Sequence, residues 1–125
     1  MAHVTATGAW HLSAQYAYKL DNGLAQALVP YVQNRSVLDI GAGKGRYVTF
    51  LRSRGVDARG LEGADNIAAV RHTRLVQYAD LTRPLNPCVQ YDWALFLEVG
   101  EHIPQQFEST VFHNLNCSTR TKAVI

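Results

Sequence analysis

A glycine-rich segment and several acidic residues carry the side chains that could do chemistry in this chain. The segment VLDIGAGKG, residues 37–45, places Asp39 before three glycines at alternate positions. Glycines let the backbone turn tightly and approach a ligand, and a helix that follows such a turn presents free amides to an anion. We therefore expect a ligand carboxylate or phosphate to bind at this segment.

Further acidic positions each follow a strand-like segment: Glu62, Asp80 and the segment EVGEHIP at 98–104. A carboxylate accepts several hydrogen bonds and donates none, which suits sugar hydroxyls and amino groups. In the last segment, Glu98, Glu101 and His102 combine two carboxylates with an imidazole. Such a set can act as a base or converge on a divalent ion.

These positions lie between alternating strand-like and helix-like segments. Short apolar runs predict buried parallel strands at 37–40 and 91–97, and further strands are predicted at 56–61 and 75–78, with the start of a fifth at 122–125. Helical spacing and capping residues predict one or two helices within 12–32 and single helices at 46–54, 65–70 and 104–114. This alternation predicts a doubly wound α/β sandwich that binds ligands at the carboxyl ends of its strands.

Composition indicates one globular domain over residues 1–125, with an N-terminal helical segment at 1–35 and an α/β core at 36–125. The chain is 47% hydrophobic and 18% charged, and its net charge of +2 is scattered, so nucleic-acid binding is not indicated. Neither a secretory signal nor a membrane-length apolar stretch is present, which predicts a cytoplasmic protein. Cys88 and Cys117 lack CxxC spacing and are expected to be free thiols.

Two families of nucleotide-binding glycine loop are possible interpretations of residues 39–46. A Walker loop needs Ser or Thr after its lysine, but Gly45 follows Lys44, so a nucleoside triphosphatase is rejected. A dinucleotide-binding loop needs a third glycine where Arg46 stands. An NAD-dependent oxidoreductase is therefore disfavoured but stays open as an alternative.

Residues 37–104 resemble the cofactor-binding half of class I S-adenosylmethionine-dependent methyltransferases, whose loop is an acidic residue followed by Gly-x-Gly-x-Gly. The resemblance implies a Rossmann-like three-layer sandwich with S-adenosylmethionine as cofactor. It implies that the glycine loop holds the methionine end, that Glu62 binds the ribose hydroxyls and that Asp80 binds the adenine amino group. The full set of implied cofactor contacts is Asp39, Gly41, Ala42, Gly43, Glu62, Gly63, Asp80, Leu81 and Leu97.

The same resemblance implies catalytic roles for Glu98, Glu101 and His102. Their spacing is similar to the Mg²⁺-binding segment of ubiquinone-pathway O-methyltransferases and of small-RNA 2′-O-methyltransferases. Many small-molecule methyltransferases, however, carry a similar segment without a metal. The predicted acceptor is a small molecule of unidentified class. Trp10, Tyr16 and Tyr18 precede the core and are expected either to pack in it or to form a lid over the cofactor.

The family sheet has seven strands, and this sequence stops at Ile125, where the fifth begins. The sequence therefore predicts an incomplete fold that lacks the last two strands. An uncovered fifth strand leaves an edge that can pair with another chain, so a dimer is expected there. A non-catalytic cofactor-binding module that needs a partner is the alternative function.

Overall fold

The computed structural model describes residues 4–12, 19–121 and 124–125. These contain the helices α1 (Asn22–Val32), α2 (Arg46–Ser53), α3 (Ile67–Val70) and α4 (Glu108–Cys117). The strands are β1 (Ser36–Ile40), β2 (Asp57–Glu62), β3 (Val76–Tyr78) and β4 (Trp93–Leu95). Short 3-10 turns at Gly100–His102 and Gln105–Phe107 link β4 to α4.

The four strands form one parallel sheet in the order β3-β2-β1-β4. Beside β4, the Ile125 amide donates to the Ala94 carbonyl at 2.9 Å, and Val124 bridges Ala94 in parallel. The predicted fifth strand thus begins where expected, although residues 122 and 123 lie outside the described part. The sheet confirms the predicted incomplete Rossmann-like α/β fold, while the single-domain organisation and the dimer at this edge stay predictions.

Helices cover both faces of the sheet. Neighbouring residues of a strand point to opposite faces, so each strand contributes to two apolar layers. On one face, Val37, Ala58 and Val76 are fully buried against apolar residues from α1, α2 and α3. On the other face, Leu38, Ile40 and Ala94 pack against Val111 and Leu115 of α4. At about 25 cal/mol per Å² of buried apolar surface, these two layers supply most of the driving force for folding.

The apolar spacing predicts one or two helices within 12–32, and the structure describes α1 there, at Asn22–Val32. The Asp21 carboxylate accepts a hydrogen bond from the Leu24 amide at 2.9 Å, so α1 starts at Asn22. Tyr16 and Tyr18 lie outside the described residues. The helix predicted from Pro104 differs, because a 3-10 turn comes first and α4 runs from Glu108 to Cys117.

The prediction of free thiols is wrong. Cys88, in the loop between β3 and β4, forms a disulfide with Cys117 at the end of α4, and their Cα atoms are 6.1 Å apart. The two cysteines are 29 residues apart in sequence, so no local spacing motif marks the pair. No described helix is long and apolar enough to cross a membrane.

Candidate functional site

A cavity of about 540 Å³ lies beyond the carboxyl ends of the strands. Nine of the residues predicted from the sequence line it: Gly41, Gly43, Glu62, Gly63, Asp80, Leu81, Leu97, Glu98 and His102. Asp39, Ala42 and Glu101 do not line it. The carboxyl ends of parallel strands meet at one edge of a sheet, and this convergence brings residues from four separate loops to one cavity.

The glycine loop is held against β2 by its own backbone. The amides of Gly41 and Ala42 both donate to the Leu61 carbonyl, at 2.8 and 2.9 Å. Gly41 has a φ of +85°, and a Cβ there would lie 2.3 Å from the Val99 side chain. Only glycine fits this position, because both the left-handed backbone and the close approach of Val99 exclude a side chain.

Glu62, at the end of β2, ties the glycine loop to the next loop. Its two carboxylate oxygens accept hydrogen bonds from the Gly43 amide at 3.0 Å and from the Ala64 amide at 2.7 Å. Burial raises the pKa of Glu62, and backbone amides at Ala64, Gly43 and Gly63 oppose that rise. Each oxygen keeps a further lone pair, so the carboxylate can also accept hydrogen bonds from a ligand in the cavity.

Asp80, which follows β3, is held by a local turn. Its Oδ1 atom accepts hydrogen bonds from the Thr82 amide at 3.0 Å and the Thr82 hydroxyl at 2.6 Å. Arg83 lies 3.6 Å from the other carboxylate oxygen. This Asx-type turn fixes the carboxylate at the cavity wall beside Leu81.

The segment after β4 forms the opposite wall. Glu98 adopts a φ of +54°, which is uncommon for a residue with a side chain and occurs most often at functional sites. His102 lines the cavity, and its Nε2 atom lies 3.7 Å from a carboxylate oxygen of Glu101. Glu101 itself does not line the cavity but lies beside the His102 side chain, which does.

The residues before α1 form a wall that the sequence motifs do not reveal. Thr7, Gly8, Ala9, Trp10 and Leu12 line the cavity. Of these five residues, only Trp10 was singled out from the sequence, as an aromatic residue expected in the core or in a lid. Trp10 is 36% exposed and meets the His102 ring edge-on at 5.3 Å, so core packing is wrong for this residue and a position over the cavity is observed.

Two contacts clamp this N-terminal segment across the cavity. At one end, the Leu12 amide donates to the Asn66 side-chain oxygen at 3.1 Å, and the Asn66 amide nitrogen donates back to the Leu12 carbonyl. At the other end, Gly8 has a φ of +82°, and a Cβ there would lie 2.1 Å from the His102 carbonyl oxygen. The segment thus bridges the loops that follow β2 and β4.

Among the described residues, this site has no set of side chains that could bind a divalent ion. Within residues 4–12, 19–121 and 124–125, no three His, Cys, Asp or Glu side chains lie where they could hold a metal ion. Glu98, Glu101 and His102 are neighbours in sequence, but the 3-10 turn does not bring them together as ligands. These residues do not fit the Mg²⁺ alternative, and no step below uses a metal.

Asp39, at the end of β1, is the buried acid beneath the cavity and is 4% exposed. Burial, and secondly the negative charge of Glu62, raise its pKa from 3.8 to about 7. Burial raises the pKa of Tyr47, and the negative charge of Asp39 adds to that rise. The Asp39 carboxyl therefore titrates near neutral pH in the folded chain.

This shift predicts that Asp39 makes the fold less stable as pH rises. Between pH 4 and 7 the folded chain keeps a proton that the unfolded chain has released, so the free energy of unfolding falls across this window. We expect Asp39→Asn to be more stable than the wild type at pH 8, by on the order of 3 kcal/mol, with a smaller difference at pH 4. Urea unfolding of both proteins at each pH tests this, and a pH-independent difference would contradict it.

No protein-family model matches the sequence, and no curated protein sequence matches it. Solved structures match at low identity. The TehB-like methyltransferase of Corynebacterium glutamicum superposes with a TM-score of 0.70 at 15% identity, over 84% of this chain and 60% of that chain. TehB from Haemophilus influenzae gives 0.65 at 18% identity, over 85% of this chain and 40% of that chain.

A third match is the 1,6-didemethyltoxoflavin-N1-methyltransferase of Burkholderia thailandensis, whose structure holds 1,6-didemethyltoxoflavin and S-adenosylhomocysteine. Its TM-score is 0.59 at 19% identity, over 79% of this chain and 47% of that chain. The chain has the class I methyltransferase fold. It spans between 40% and 60% of the length of these three structures.

Proposed function

We propose that this chain is the S-adenosylmethionine-binding core of a methyltransferase that acts on a small-molecule acceptor. One observation supports this most directly. Gly43, Glu62 and Asp80, each chosen from a different strand end in the sequence, line one cavity. The structurally similar Burkholderia enzyme was crystallised with S-adenosylhomocysteine and 1,6-didemethyltoxoflavin, which favours the same classes of ligand here.

The charge of the cavity fits this cofactor. Of the described residues that line it, Glu62, Asp80 and Glu98 are acidic, and none is lysine or arginine. An acidic wall attracts a cationic sulfonium and gives no counter-charge for an anionic acceptor. The apolar side chains of Trp10, Leu12 and Leu97 supply the surface that a purine and a thioether need.

In the proposed binding mode, the methionine end of the cofactor lies against Gly41 and Gly43 of the glycine loop. Glu62 accepts hydrogen bonds from the ribose hydroxyls, and Asp80 accepts one from the adenine amino group beside Leu81. Asp39 and Ala42 support the loop from beneath. Gly63 and Leu97 flank the ribose and the thioether.

When bound, S-adenosylmethionine supplies an electrophilic methyl group on a positively charged sulfur. The residues of this chain then have to position the acceptor in line with that methyl group and take the proton that the acceptor loses. We propose His102 as the base, with Glu101 stabilising the imidazolium and Glu98 orienting the acceptor. Trp10 and the clamped N-terminal segment exclude water above them.

The proposal predicts that the purified chain binds S-adenosylhomocysteine with a micromolar Kd, about 8 kcal/mol, and does not bind a nicotinamide dinucleotide. Calorimetric titration measures both, and quenching of Trp10 fluorescence gives a second readout because that ring lies at the cavity. Asp80→Ala should weaken the binding. No heat from a folded sample would refute the cofactor site, and heat with the dinucleotide would favour the oxidoreductase alternative.

Methyl transfer from labelled S-adenosylmethionine by the same chain separates the enzyme from a non-catalytic module. Transfer to added acceptors indicates that the described residues contain enough of the acceptor site. Binding without transfer to any acceptor indicates a cofactor-binding module that requires a partner.

A further inference from the structure

The loop between β3 and β4 forms one wall of the cavity, and α4 holds that loop from the far side. Asp80 and Leu81 begin the loop and line the cavity. Leu81 is 8% exposed and packs in the same apolar cluster as Val111 and Leu115 of α4. The position of this wall therefore depends on contacts made by a helix that does not itself reach the cavity.

Asn114 of α4 makes the central contacts. It is 1% exposed, and its amide nitrogen donates to the carbonyls of Leu81 at 3.2 Å and Arg83 at 3.0 Å. Its side-chain oxygen accepts a hydrogen bond from the Leu85 amide at 3.0 Å. One buried side chain thus satisfies three backbone groups of the loop, and each of these groups would be costly to leave unpaired.

The end of the same helix fixes the rest of the loop. Cys117, three residues after Asn114, forms the disulfide with Cys88. The Tyr91 amide donates to the Ser118 carbonyl at 2.8 Å, and the Arg120 amide donates to the Tyr91 carbonyl at 2.8 Å. These contacts hold the far end of the loop. The position of its first residues therefore depends on the contacts with Asn114.

We propose that Asn114 is a positioning residue that sets the adenine wall of the cofactor site by holding the Leu81 backbone. Leu81 is bonded to Asp80, so a shift of its carbonyl moves the carboxylate proposed to select the adenine amino group. This inference rests on the proposed function. It adds that the choice between 6-amino and 6-oxo purines is controlled from α4, outside the cavity.

The test compares S-adenosylhomocysteine with S-inosylhomocysteine, which has a 6-oxo group in place of the amino group. We expect the wild type to prefer the amino compound about tenfold. Asn114→Leu should bind the amino compound about tenfold more weakly and the oxo compound almost unchanged, so that the preference disappears. His113→Leu, on the exposed side of the same helix, is the matched control and should keep the wild-type preference.

A folded Asn114→Leu protein that loses equal affinity for both compounds has only a structural defect, and that result would overturn the inference. A wild type that binds neither compound refutes the proposed function instead, so the two failures are distinguishable. Asn114→Asp keeps the acceptor for Leu85 and loses both donations, and it provides the same comparison if the leucine variant does not fold.

Amide exchange in the wild type gives an independent test that needs no variant. If Asn114 links the loop to the adenine site, saturation with S-adenosylhomocysteine should slow exchange of the Leu85 amide by at least about threefold, because coupling between two sites acts in both directions. Unchanged exchange at Leu85, in a chain shown to bind the compound, would overturn the inference.

Discussion

Replacing Glu62 by glutamine is expected to raise the Kd for S-adenosylhomocysteine about 100-fold. The two carboxylate oxygens already accept hydrogen bonds from the amides of Gly43 and Ala64. A glutamine has one acceptor oxygen, so it leaves one of these amides unpaired and offers a donor where the ribose hydroxyls need an acceptor. Calorimetric titration of the variant measures the change.

The matched control for this variant is Glu108→Gln. Glu108 is an exposed acid in the first turn of α4, so its replacement removes the same charge away from the cavity. We expect its Kd to be within about twofold of the wild type. Equal affinity in Glu62→Gln and the wild type would remove Glu62 from the proposed ribose site.

Reduction of the Cys88–Cys117 disulfide is expected to lower the free energy of unfolding by about 3 kcal/mol. The bond closes a loop across 29 residues, and opening it gives the unfolded chain many more conformations. The melting temperature should fall by about 10 °C when a dithiol is added. Thermal unfolding with and without the dithiol measures this shift.

The double variant Cys88→Ser and Cys117→Ser controls for other effects of the reductant. It should melt near the temperature of the reduced wild type and should not respond to the dithiol. A wild type that melts at the same temperature in both conditions would show that the bond does not stabilise the fold. Because disulfides are rare in cytosolic proteins, the Cys88–Cys117 bond does not support the cytoplasmic location, which stays a prediction.

The disulfide and Asn114 act on the same loop but have separate expected effects. The disulfide limits the unfolded chain, so its loss appears mainly in stability. Asn114 satisfies three backbone groups of the folded loop, so its loss should appear in the choice between purines as well. Measuring stability and ligand preference for both sets of variants separates the two contributions.

The parallel sheet and the cofactor side of the site were predictable because their signals are local. Each predicted strand is closely followed by a glycine or an acid, and in a parallel sheet all such ends meet at one edge. Gly43, Glu62 and Asp80 could thus be assigned to one cavity without knowledge of any contact between them. The same reasoning predicted the order of helices and strands, and Asp21 caps the helix described within 12–32.

Binding of a divalent ion by Glu98, Glu101 and His102 does not fit the described residues, and the sequence spacing of these three could not show this. Glu98, Glu101 and His102 are close in sequence, but Glu98 has a left-handed backbone, and Glu101, which lies 3.7 Å from His102, does not line the cavity. Convergence on an ion requires the orientation of each side chain, and orientation depends on the packed backbone.

The sequence by itself determined the class of fold and the residues at the strand ends, since both follow from local periodicity and from the geometry of parallel sheets. Only the tertiary structure decided that residues 7–10 and 12 line the cavity, that Cys88 pairs with Cys117 and that Asn114 holds the backbone of Leu81 and Arg83. These contacts join residues separated by at least 29 positions. A hydrogen bond or disulfide over such a distance depends on how the layers pack, and no spacing rule within one segment specifies it.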